Sequence, residues 1–289
     1  MAFATARDGI RLHYEEAGKG TPLVFVHEFS GDSRSWEAQL RFFPRRYRCI
    51  AFNARGYPPS DAPKARARYS WRIAVDDIAD VLRHLGLRKA HVVGCSMGAY
   101  SALQFGIRYP AMALSVTALG AGAGSDPATR KAFLQTTEAH ARLFETAGTA
   151  AALKQRGASA ARIPQMVKDP RGFAEFRRIH ESHSGTGLAG VLRGVQAKRP
   201  PVYDLEKALR GYRPPLFVMC GDEDDSSIGP ALFIKRCCRN ARLWICQASG
   251  HTLNTEEPDA FNRNLLDFLT LVDSGGWKPR DLRSGSKAA

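Results

Sequence analysis

The stretch HVVGCSMGAY, residues 91–100, sets a single serine between two glycines at the end of an apolar run. The first half, "AHVVGC", has the continuous apolar character of a strand buried on both faces. From Met97 the pattern changes to helical spacing and ends before Pro110. Ser96 therefore falls on a strand-to-helix turn. A sharp turn there strains the serine backbone and leaves no room for side chains two residues to either side. That steric demand accounts for Gly94 and Gly98. The first N–H groups of the helix are unpaired, so Met97 N–H is available to a negative oxygen beside the serine.

Strands and helices alternate on both sides of this turn. Residues 2–27 read as two strands around the Asp8-Gly9 turn and a third strand, "PLVFVH". "RCIAFN" (48–53) and "LSVTALG" (114–120) are further strands, and 75–87 carries the one-sided stripe Val75, Ile78, Val81, Leu82, Leu85. Strand character disappears from 125 to 205, which reads as a helical insertion. It returns at "PLFVMCG" (215–221) and "ARLWICQA" (241–248), with helices at 229–238 and 258–272. The expected fold is α/β: a doubly wound, mostly parallel sheet of about eight strands. Its core comprises residues 1–124 and 206–273, and 125–205 form a helical lid. The polar, basic remainder, 274–289, is expected to be a mobile tail.

The 289 residues carry 44% hydrophobic and 24% charged side chains, ordinary for a globular chain. No secretory leader or membrane-length apolar run is visible, so a cytoplasmic location is expected. The six cysteines form no C-x-x-C pair and lie mainly in apolar runs. They read as buried reduced thiols rather than a disulfide framework or zinc site. A formal charge of +14 raises nucleic acid as a partner. The arginines are scattered, however, without a recognition motif or aromatic platform, so neither nucleic acid nor membrane is expected as a partner. The oligomeric state is left open, with a homodimer one option.

A serine nucleophile needs a base and a group to orient it. Of the eight histidines, only His27 and His251 sit just after a predicted parallel strand. His251, in "QASGHTLNTEEPDAFN", is the expected base, and His27 is expected to be a hydrogen-bonded structural residue. His180 and His183 lack a convincing third partner for a metal site. The acid is expected in "GDEDD" (221–225): Asp224 first, Asp222 second, with Asp126 a distant third. Each of the chosen groups follows a strand, in the order Ser96, Asp224, His251.

Up to about residue 272 the chain resembles the α/β-hydrolase fold superfamily, serine hydrolases with a helical lid. The resemblance rests on the elbow, on the acid and histidine loops, on "FNARGYPPSD" and on "VHEFSGDSRSW". The last resembles the family loop that supplies a second oxyanion donor, which implies Phe29 N–H as partner of Met97 N–H. Two departures stand out. Glu28 occupies a position usually held by glycine; the expectation is that it turns away to pair with an arginine, the alternative that it binds substrate. The loop 53–58 also differs from the usual pattern and is expected to be scaffold.

The expected activity is hydrolysis of a carboxylic ester, with no metal or organic cofactor. Phe133, Phe144, Phe173 and Phe176 are candidate lid lining; Arg177, Arg178 and Arg193 are candidate binders of a substrate carboxylate. Enol-lactonase or C–C bond hydrolase chemistry on ring-cleavage products would use the same three residues. Epoxide hydrolases and haloalkane dehalogenases of this fold carry an aspartate at the elbow, and Ser96 argues against both. A non-catalytic ligand receptor retaining the site is the rival from another class.

Overall fold

In a computed structural model, residues 1–281 are described. Eight strands form one sheet: β1 Ala2–Thr5, β2 Arg11–Ala17, β3 Thr21–Val26, β4 Tyr47–Phe52, β5 Ala90–Cys95, β6 Ala113–Leu119, β7 Leu216–Gly221 and β8 Ala241–Cys246. Their order is β1-β2-β4-β3-β5-β6-β7-β8. β1 and β2 are antiparallel additions, whereas β4, β3, β5, β6, β7 and β8 run parallel.

Successive side chains of a strand point to opposite faces, and both faces of this sheet are packed. Val24, Val26, Val92 and Val218 face one apolar layer, made with α2 (Trp71–His84), α3 (Met97–Arg108) and α10 (Asp225–Cys237). Leu23, Phe25, Val93 and Met219 face the other, against Trp36, Phe43, α1 (Glu37–Phe42) and α12 (Pro258–Asp273). This double burial explains why the parallel strands read as continuous apolar runs.

Some boundaries differ from the expected ones. α2 begins at Trp71 because Ser70 Oγ accepts from Ile73 N–H and caps it, a stronger start signal than the apolar stripe. α10 begins at Asp225 and accommodates Pro230 inside its first two turns. The polar-looking tail is docked over its first half. Trp277 packs on Phe268 with ring centroids 4.8 Å apart and donates to Asn240 O at 3.1 Å, and Arg280 N–H donates to Arg239 O. One large apolar ring with a backbone acceptor within reach overrides the polar composition around it. The rest of the expected tail, 282–289, lies outside the described residues.

Between β6 and β7 lie α4 (Pro127–Ala147), α5 (Thr149–Arg156), α6 (Ile163–Lys168), α7 (Pro170–Glu181) and α8 (Gly185–Val191), then a π-helical turn at Leu192–Gln196 and α9 (Glu206–Arg210). The remaining helix, α11 (Leu253–Glu256), follows β8. Phe144, Leu188 and Leu192 of the inserted segment bury against Met97 and Tyr57 in a third apolar cluster. Asp32 adds a polar tie. Its buried carboxylate accepts from Arg34 N–H and guanidinium, and lies 3.2 Å from His183 Nε2. The loop after β4 braces the same region, with Asn53 Oδ1 accepting from Ser33 N–H and Tyr57 O–H donating to Phe29 O.

Ser96 has φ 54°, a region a non-glycine residue seldom occupies. A Cβ at Gly98 would stand 2.1 Å from Val26 O, and one at Gly94 2.1 Å from Gly98 O. Gly98→Ala is expected to lower stability by about 3 kcal/mol, the upper end of the usual cost of overpacking, since the obstacle is backbone. Gly211→Ala, where a Cβ meets nothing closer than 3.8 Å, is expected to change it by less than about 1 kcal/mol. Chemical denaturation of the two variants checks the contrast.

A second expectation concerns acid. Burial opposes the charge on Asp32, but hydrogen bonds and attraction from His183 and Arg34 outweigh it and hold its carboxyl well below the ordinary range. A carboxyl whose folded pKa is depressed stabilises the fold above its unfolded pKa of about 4, and that contribution fades as pH falls further. Asp32→Asn is therefore expected to be less stable than the parent at pH 6 and to lose less on going from pH 5 to pH 3. Parallel denaturation curves across that range measure the difference.

Candidate active site

Ser96 directly follows β5 and its N–H donates to Leu119 O at 2.7 Å, so the neighbouring strand β6 holds the turn in place. Its side chain carries no capping bond to α3. Instead Ser96 Oγ lies 2.7 Å from His251 Nε2, and His251 Nδ1 lies 2.6 Å from Asp224 Oδ2. Three residues separated by 128 and 27 positions in the chain thus form one hydrogen-bonded line across the carboxyl ends of β5, β7 and β8.

Each member is held from behind. Asp224 is 1% exposed and its Oδ1 accepts from Ser226 Oγ at 2.8 Å. Burial disfavours its charge, but attraction to His251 and the hydrogen bond to it win, so its carboxyl sits below the ordinary value. The His251 loop is pinned at several points: His251 N–H donates to Ala161 O, Gly250 N–H to Glu256 Oε1, and Ser249 N–H to Asp222 Oδ1. Asp222, the second choice for the acid, is thus a brace for the loop. Asp126, the third, caps α4 by accepting from Ala128 N–H. His27 is consumed on both sides, with Nδ1 2.7 Å from Glu28 O and Nε2 accepting from Ala54 N–H.

Ser96 and His251 open on a cavity of about 280 Å3 that is also lined by Glu28, Phe29, Phe133 and Arg162. Met97 is the first residue of α3, where no intrahelical acceptor exists for its N–H. Phe29 is on the cavity wall. A hydroxyl backed by an imidazole and a buried carboxylate can lose its proton to the imidazole as it attacks an electron-poor carbon. Helix-terminal N–H groups suit the negative oxygen that results.

The structure separates the other candidates. Of the four phenylalanines, Phe133 lines this cavity, while Phe144 packs against Phe29, and Phe173 and Phe176 pack on each other. Arg193 is removed as a substrate-binding group. Its guanidinium is taken up by Glu138 and Glu145, and it is not part of the cavity wall. Arg177 pairs with Glu181, and Arg178 lies 3.9 Å from Glu175.

The arginine that does reach the site is Arg162, which sequence reasoning missed. It stands on the short turn before α6 and is 6% exposed. Its Nη2 donates to Glu28 Oε1 at 3.0 Å, and its Nη1 donates to Gln165 Oε1 and Thr252 Oγ1. The guanidinium also covers the Phe176 ring at 3.9 Å. Glu28, 3% exposed, therefore has its cationic partner within the wall. The one sequence signal was Glu28 itself: a buried carboxylate in a glycine's place demands a counter-charge. Nothing in the local string around residue 162 identifies which arginine answers.

Among the described residues no cluster of three or more His, Cys, Asp or Glu is arranged to hold a metal ion. The described cysteines are all free, and Cys95, directly before the serine, is fully buried with its thiol pushed up by desolvation. None of the helices in the described residues is long and apolar enough to cross a membrane.

Comparison with known proteins agrees with this architecture. A stretch of 106 residues, 36% of this chain, is 42% identical to "Epoxide hydrolase 3" of Mus musculus, and covers only 29% of that protein's length. Over 93% of this chain and 98% of the relative, it is 26% identical to the Bacillus subtilis (strain 168) protein named "Putative 2-succinyl-6-hydroxy-2,4-cyclohexadiene-1-carboxylate synthase". The solved structure of a thermophilic esterase from Thermogutta terrifontis superposes with a TM-score of 0.80 at 24% identity, covering 94% of this chain and 98% of that one. The family model described as "alpha/beta hydrolase fold" matches residues 21–258. With its sheet order, its strained serine turn and a family match spanning most of its length, this chain belongs to the alpha/beta hydrolase fold family.

Proposed function

We propose that the protein is a serine hydrolase that cleaves a carboxylic ester of a small or medium-sized substrate through an acyl-enzyme on Ser96. The observation that carries this reading is the placement of the His251 imidazole, 2.7 Å from the serine oxygen and 2.6 Å from the Asp224 carboxylate. His251 removes the serine proton as Oγ attacks the ester carbonyl, and Asp224 fixes the ring and stabilises the imidazolium. Met97 N–H and Phe29 N–H stabilise the tetrahedral oxyanion, a contribution of about 3–4 kcal/mol per donor in comparable sites. His251 then protonates the leaving alcohol. Water, activated by the same imidazole, releases the acid from Ser96.

The helical segment 125–205 acts as a lid, and its Phe133, Leu192 and Arg162 supply one side of the cavity. Reduced, mostly buried thiols suit a cytoplasmic setting. The charge of the wall supports a neutral ester over substrates recognised by a carboxylate. Arg162 is already paired with Glu28, so the pair presents no net cation to an anionic group. An epoxide hydrolase reading draws on the partial similarity reported above. Its difficulty is the hydroxyl at the turn, where that chemistry calls for a carboxylate.

Ser96→Ala is expected to lower kcat/KM on short p-nitrophenyl esters at least about 10³-fold. A fluorophosphonate is expected to add once per chain, on Ser96, as read by peptide mass spectrometry. Saturable ester binding without turnover or labelling would leave a receptor as the better description. Epoxide turnover unaffected by Ser96→Ala would move the chemistry elsewhere.

A further inference from the structure

A second cavity, of about 340 Å3, lies between α1 and α7. Ala38 and Arg41 of α1 stand on one side of it, Phe176 and Ile179 of α7 on the other. Among the described residues, Glu28 and Arg162 are the two that line both this cavity and the one at Ser96. Their ion pair, with Arg162 Nη2 3.0 Å from Glu28 Oε1, is therefore the partition between the two spaces. The partition is braced from the second cavity. Arg162 Nη1 donates to Gln165 Oε1 and the guanidinium lies 3.9 Å from the centre of the Phe176 ring, and both of those residues line that cavity. Ser35 Oγ, also on that wall, donates to Glu28 Oε1 at 3.2 Å. Both charged side chains are buried, so parting them would strand two ions away from water.

We propose that the Glu28–Arg162 pair is a chain-length stop: it closes one end of the Ser96 cavity and so confines the enzyme to esters with short arms. The inference rests on the ester-hydrolase reading above and adds a size class to its substrate. The Ser96 cavity, about 280 Å3, is at the small end of ligand pockets, which span about 300–1,000 Å3. Joined to the second cavity, the space in front of the serine would more than double. An ion pair suits this task. An alkyl chain pushing through would have to separate the charges and could offer neither of them a hydrogen bond. Apolar side chains in the same place could turn aside and pack against the chain. The carboxylate at residue 28, where the related loops usually hold glycine, thus acquires a role: it keeps Arg162 across the opening.

The test reads kcat/KM on p-nitrophenyl acetate, butyrate and octanoate and on the methyl, butyl and octyl esters of butyric acid, so that each arm is lengthened in turn. In the parent enzyme the longest member of at least one series is expected to fall at least about 10-fold below the shortest, the low end of what one surplus methylene costs in a fitted pocket. Equal use of long and short esters would overturn the proposal. Glu28→Gly/Arg162→Ala removes both charges together and is expected to raise the long-to-short ratio by about the same factor; an unchanged ratio would overturn the stop. Glu28→Gln/Arg162→Met keeps the bulk without the charges, and its ratio is expected to fall between those of the parent and the smaller pair. Thermal unfolding checks the fold, and should the smaller pair not fold, a parent-like ratio in Glu28→Gln/Arg162→Met refutes the assignment. Lys168→Ala loosens the other tie of α6 without touching the partition. A rise there as large as in the smaller pair would make a loosened lid the cause and would equally overturn the stop. Calorimetric binding of the p-nitrophenyl esters to Ser96→Ala, with and without the pair removed, reads chain length without turnover. A lack of ester turnover in the parent enzyme would thus count against the hydrolase reading, whereas binding ratios unaffected by removal of the pair would count against the stop.

Discussion

The turn at Ser96 is the constraint to which the rest of the molecule conforms. A serine held at φ 54° is unfavourable on its own, and it persists because packing on three sides leaves the backbone no alternative. β6 takes its N–H, α3 starts immediately after it, and Gly98 sits so close to Val26 O that α3 and β3 are almost in backbone contact. That last approach has a chemical consequence. The end of β3 leads into His27, Glu28 and Phe29, so the same missing Cβ that lets α3 descend onto β3 sets the first turn of α3 against the start of that loop, at Val26 and His27.

Much of this was legible in the sequence because the signals are local. The parallel strands are apolar throughout since both faces are covered, and G-x-S-x-G between a strand and a helix states its own geometry. His251 and Asp224 could be chosen because each follows a strand at the same end of the sheet. The misreadings share a different cause. Arg193 looked available because a sequence does not show that Glu138 and Glu145, a helix away, converge on it. Trp277 looked like part of a mobile tail because its partners, Phe268 and Asn240, come from elements whose tertiary position is not written locally. Arg162 was invisible for the same reason, with its partner 134 residues distant. Long-range polar pairing is where sequence reading stopped.

The high arginine content has a comparable explanation in part. Several arginines are structural ties: buried Arg55 bridges Asp8 and Asp77, and the more exposed Arg7 and Arg34 close on the buried carboxylates of Asp80 and Asp32. Guanidinium is suited to this because its planar fork can satisfy a carboxylate with two parallel bonds. Each such pair cancels in the total, so the net charge of +14 is carried by basic side chains beyond these ties.

The helical segment and the chemistry meet at two polar ties rather than at an apolar seam alone. Arg162 joins the turn before α6 to Glu28 and Thr252, and Lys168, at the end of α6, joins Glu256 and Glu257 behind the histidine loop. Both lie on one short stretch of chain, and both end on loops that carry candidate chemistry. Movement of α6 would consequently disturb the β3 loop and the His251 loop together. The buried tie is also the stronger constraint: separating Glu28 from Arg162 strands two charges with little access to water, whereas Lys168 is solvent-accessible enough for its pairs to be exchanged for hydration.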